Sequence, residues 1–69
     1  MKLEQAIARG RVVVKNTQPA EIMLHIGGNP HTLARGQQLD LTSLVGDARA
    51  LMRVGGLSDL LKKKHLVLV

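Results

Sequence analysis

The chain predicts a small β-rich α+β fold, a sandwich or half-barrel of four to five short strands with one or two short helices near the C-terminus. Three observations carry that expectation. Short β-branched or alternating runs recur between Arg11 and Leu41, each bounded by turn residues. From Thr42 the apolar spacing becomes helical. The chain then returns to strand character in Leu66-Val67-Leu68-Val69.

Residues 1–10 read as an N-terminal arm and 11–69 as a single small domain. Within the arm, Leu3, Ala6 and Ile7 have helix-like spacing and Gly10 is a stop. So short a helix is unstable alone, so the segment suits a docking arm equally well. Arg11-Val12-Val13-Val14-Lys15 is the first strand, and Asn16-Thr17-Gln18-Pro19 follows as a turn. Glu21 to Ile26 is the second strand, with Ile22, Leu24 and Ile26 on one face and Met23 and His25 on the other. Gly27-Gly28-Asn29-Pro30 is the strongest turn signal in the chain. His31 to Ala34 and Gln38 to Leu41 are further short strands, separated by Arg35-Gly36-Gln37.

Leu44, Ala48, Leu51 and Met52 then form a helical stripe, ended by Gly55-Gly56. Asp47 near its start and Arg49 and Arg53 later on suit the helix dipole. Ser58 is an N-cap candidate for a second helix over Asp59 to Lys64. Leu66 to Val69 is the last strand. Chain ends are usually polar, so an end this apolar is expected to be covered, by its own fold or by another molecule.

Size and composition narrow the role. Sixty-nine residues without cysteine, Phe, Tyr or Trp must build a thin core from Leu, Val, Ile, Met and Ala. Neither a disulfide framework nor a cysteine-based metal site can staple it, so oligomerisation is the remaining way to gain buried area. Apolar runs are far shorter than the roughly 20 residues of a membrane span, and Glu4, Gln5 and Arg9 interrupt any signal-type segment. A soluble protein is expected. Ten Lys plus Arg against five Asp plus Glu give a net charge of +5, which favours anionic partners or simply keeps the protein dispersed.

No catalytic, metal or cofactor set is legible. His25 and His31 flank the glycine turn, which could bring them face to face, but a metal site needs further ligands and a supporting shell. Ser43 and Ser58 sit at apparent helix starts, where a hydroxyl is commonly a cap. Gly27-Gly28 and Gly55-Gly56 lack phosphate-loop spacing. An enzyme and a cofactor are therefore not expected. Arg9, Arg11, Lys62, Lys63 and Lys64 are candidate anion contacts, although the stacking aromatics of a single-strand binder are missing. Val12, Val14, Leu66, Val67, Leu68 and Val69 lie in weakly charged strands and are the candidate interface residues.

The order of segments also resembles a family. Val14-Lys15-Asn16, the apolar strand Ile22 to Ile26 and a Leu-x-x-Gly-Gln-x-Leu-Asp-Leu stretch from Leu33 to Leu41 follow in turn. A closing segment has leucines at 57, 60, 61 and 66 before Val67. Together they are similar to small structural virion proteins of tailed bacteriophages, of the minor capsid, decoration or head–tail joining type. Where such proteins often have proline before the turn glycine, this chain has Arg35. The resemblance implies a non-enzymatic role in the virion, assembled in the host cytoplasm, with copies of itself or neighbouring capsid subunits as partners. The alternative is a small basic nucleic-acid-binding regulator.

Overall fold

The computed structural model describes residues 2–54 and 56–69; Met1 and Gly55, the first glycine of the second expected break, lie outside them. Two antiparallel sheets and three short helices surround one core, and the sheets do not close into a barrel. Helix α1 spans Leu3–Ala8, strands β1 to β4 are Val13–Asn16, Ile22–Ile26, Asn29–Leu33 and Gln38–Asp40, and a 3-10 helix covers Ala48–Arg53. Helix α2, Leu57–Lys62, and strand β5, Leu66–Leu68, complete the order.

The segment read as an arm is α1, and it belongs to the core. Ala6 is buried, with Leu3 and Ile7 packed beside it. Its C-terminus closes with Gly10 N–H donating to Ile7 carbonyl at 2.9 Å and Arg11 N–H to Ala6 carbonyl at 3.3 Å. That pair of bonds is a Schellman cap, and Gly10, at φ +78°, supplies the left-handed residue it requires.

Strand β1 is the centre of the larger sheet, in the order β4-β1-β5. Its inner face carries Val12, Val14 and Asn16, all fully buried, and the same core holds Leu41 and Leu66. Lys15 points to the other face, opposite Gln38 and Val67. Val12 and Val14 are thus absorbed by the chain's own core, and both sides of β1 are paired. Leu66 lies in the same core, so any interface expectation passes to Val67, Leu68 and Val69.

Strands β2 and β3 form a hairpin around Gly27-Gly28, whose φ values of +60° and +82° match a two-residue turn of the twist-compatible kind. In such a hairpin the flanking pair, Ile26 and Asn29, exchanges hydrogen bonds, so His25↔Pro30 is an unbonded pair. Pro30 therefore enters the strand without costing the ladder a donor. The register also places His31 opposite Leu24 and His25 opposite Pro30. The two histidines occupy opposite faces, which corrects the expectation that the turn could bring them together. A one-residue offset in register decides it.

Asn16 ties the two sheets together. Its side-chain amide donates to the carbonyls of Ala20 and Leu33, both at 2.9 Å, and its Oδ1 accepts from Gln18 N–H at 2.8 Å. A residue expected to be a turn element is a fully buried and satisfied polar link.

The helical stripe from Thr42 is also corrected. Asp40 stops it: its carboxylate accepts from the N–H and hydroxyl of Thr42, while Ser43 Oγ donates to the Asp40 carbonyl at 2.8 Å. These local bonds compete with helix and fold residues 41–47 into turns and bends. Helical structure begins only at Ala48, capped by the Asp47 carboxylate on Arg49 N–H at 3.0 Å. Of the expected stripe only Leu51 is fully buried; Leu44 and Met52 are 39% and 55% exposed. In α2 the N-cap is Gly56, at φ +80°, so Ser58 lies inside the helix and caps nothing. Among the described residues no helix is long and apolar enough to cross a membrane.

Candidate functional site

The hydrogen bonds of β5 show which backbone groups it leaves open. Thr17 N–H donates to His65 carbonyl at 3.0 Å, and Val69 N–H donates to Val13 carbonyl at 2.9 Å. Bonded and unbonded pairs alternate along an antiparallel ladder. Lys15↔Val67 is thus a bonded pair, whereas Asn16↔Leu66 and Val14↔Leu68 are not. The N–H and C=O groups of Leu66 and Leu68 point away from β1, and among the described residues no strand pairs with them.

A groove of about 770 Å3 runs along this open edge. Leu66, Val67 and Leu68 form one wall. Helix α1 contributes Leu3, the 3-10 helix Leu51 and Met52, and α2 Ser58 and Leu61. Lys2, Lys62 and Lys64 line it as well, against a single carboxylate, Glu4. The helices are held in place because α1 packs on the 3-10 helix and α2 on both the 3-10 helix and β5.

Lys64 is the unusual member. After α2, Lys64 N–H donates to Leu61 carbonyl at 3.2 Å and His65 N–H to Leu60 carbonyl at 3.0 Å. This is the same cap that ends α1, but the left-handed position, at φ +59°, is a lysine where α1 has Gly10. A side chain there costs about 1 kcal/mol or more. Thr17 holds the strained turn, its hydroxyl donating between the carbonyls of Lys64 at 2.6 Å and His65 at 3.0 Å.

The other edge of the sheet differs. Leu41 N–H donates to Val12 carbonyl at 2.8 Å and Asn16 N–H to Gln37 carbonyl at 3.1 Å, so the outward groups of β4 belong to Gln38 and Asp40. Ser43 already occupies the Asp40 carbonyl. The Thr42 hydroxyl, with backbone bonds from Thr42 and Ser43 and the charge of Arg11, holds the Asp40 carboxyl below its ordinary value.

The anion candidates divide between two places. Lys62 and Lys64 join Lys2 in the groove, while Arg9 and Arg11 border a hollow of about 280 Å3 with Val13, Gln38 and Val69. Lys63 is exposed and lines neither. Of the interface candidates, Leu66 is fully buried, Val67 and Leu68 are half-buried and Val69 is exposed. Lys2 joins the lysine cluster as its charge suggests; Leu3, Leu51 and Leu61 were not among the sequence candidates, and no local pattern links them to β5. Among the described residues no three His, Asp or Glu side chains gather closely enough to hold a metal ion.

Comparison with known protein-family models, with curated proteins and with solved structures gives no match for this chain.

Proposed function

We propose that this protein is a non-enzymatic assembly module that joins other polypeptides through the open edge of β5. The observation that carries the reading is the row of outward N–H and C=O groups on Leu66 and Leu68, beside an apolar groove. Unpaired edges are ordinarily blocked, and strand addition uses the ones that are not. Such a role is that of a minor capsid, decoration or joining protein in a tailed-bacteriophage virion, the family its segment order resembles. Many copies on a symmetric shell would compensate for the small area of each contact.

Sedimentation of the protein across a concentration series, alone and with purified tailed-bacteriophage shells, tests this. Concentration-dependent association or co-pelleting with shells is expected. A monomer at all concentrations that never pellets with shells would overturn it.

A second reading rests on the lysines that share the groove: a small basic nucleic-acid-binding regulator. Its signature is a steep fall of log K for random duplex DNA with log salt. No binding at low salt removes it.

A further inference from the structure

We propose that the groove beside β5 receives an extended acidic segment of a different protein, added as a further strand on the Leu66–Leu68 edge and held by Lys2, Lys62 and Lys64. The inference rests on the edge-binding reading above and names the occupant.

Three observations converge on it. The outward backbone groups of β5 belong to Leu66 and Leu68, and among the described residues no strand pairs with them. Leu66 is fully buried and Leu68 half-buried, so the accessible part of this edge lies at Leu68. An added strand alternates its side chains between faces. One set would meet Leu3 and Leu61, and the other would stay near solvent.

Charge decides the identity of the strand. Three lysines and one glutamate line the groove, so an acidic segment is favoured and a basic one repelled. A second copy of this chain is disfavoured for the same reason: pairing β5 with β5 would bring two such sets of lysines into one interface. Lys64 adds an independent argument. Glycine at its position would relieve the backbone, as Gly10 does at the equivalent cap of α1. The lysine is held at a conformational cost in a residue that lines the groove.

The test uses the full chain labelled with 15N and two capped probe peptides, Glu-Val-Glu-Val-Glu-Val-Glu and its counterpart with Lys in place of Glu. The acidic peptide should shift the amide resonances of Leu66 and Leu68 and protect Leu68 from hydrogen exchange. The lysine peptide should bind about tenfold more weakly or less, the expected sum of three exposed charge pairs. A Lys62→Glu/Lys64→Glu variant, altered only at exposed positions, should reverse the preference.

Equal binding of the two peptides overturns the proposal. So does protection of Leu68 in the protein alone together with a dimeric mass, which makes a second copy the occupant and leaves edge binding intact. If random duplex DNA shifts the lysine signals while Leu68 keeps exchanging with every probe, the groove serves phosphate, and the edge-binding reading falls with the proposal.

Discussion

The two edges of the β4-β1-β5 sheet are built from strands of equal length, yet they are finished differently. At β4 the outward carbonyl of Asp40 is taken by Ser43, and a charged side chain clasped by Thr42 stands at the strand end. At β5 the outward groups of Leu66 and Leu68 meet an apolar groove with lysines along it. A sheet with both edges open would aggregate, and one with both blocked would bind nothing through its backbone. At β4 only the Asp40 carbonyl is taken and Gln38 stays exposed, so the two edges differ in their surroundings, polar and clasped at one and grooved and basic at the other.

The largest effect should come from the residue both edges depend on. Asn16→Ala leaves two carbonyls and one N–H without partners where the sheets meet, and should cost about 3 kcal/mol. Urea unfolding measures it; a loss below about 0.5 kcal/mol would show that the link is dispensable.

A pair of proline substitutions tests the asymmetry itself. Gln38→Pro and Leu68→Pro each remove an N–H that points outward, so neither breaks the ladder to β1. Both proteins should fold, with Leu68→Pro less stable by about 1–2 kcal/mol because its half-buried side chain loses core contact. Only Leu68→Pro should abolish association in sedimentation or binding of the acidic peptide. Equal losses would dissolve the distinction between the edges.

Lys64→Gly separates folding from binding. Relief of the left-handed backbone should raise stability by about 1 kcal/mol, while loss of the charge weakens capture of an acidic strand. Thermal unfolding and peptide titration should therefore move in opposite senses. A variant that gains stability and binds as well would leave Lys64 without a role in the groove.

The smallest effect concerns the guarded edge and pH. Because the folded carboxyl of Asp40 is held below its ordinary value, its contribution to stability is present above about pH 3.9, the unfolded aspartate value, and is lost as pH falls through the folded value. Asp40→Asn should flatten that part of an acid titration followed by circular dichroism. An unchanged acid limb would show that the clasp is not linked to folding.

Most of the element order was legible because strands announce themselves by alternation and turn chemistry. Ile22, Leu24 and Ile26 do lie on the buried side, and Gly27-Gly28 does turn the hairpin. The 3-10 helix was less legible. Leu44 and Met52 have the right spacing, but the hydroxyls of Thr42 and Ser43 compete locally for the backbone and carboxylate of Asp40. Of the candidate site, Lys62, Lys64 and Leu66 to Leu68 could be nominated from sequence. Lys2 could be added to them by charge, whereas Leu3 and Leu51 could not, since their neighbourhood is made by packing.

The sequence by itself determined that this would be a thin aliphatic β-rich domain, positively charged and apolar over Leu66 to Val69. Composition and periodicity act locally and leave their mark on every segment. Only the tertiary structure decided that β1 is central, that Asn16 joins the sheets, and that β5 stands open beside three lysines. Those are matters of pairing between distant segments. A shift of one residue in register would reverse which groups face outward.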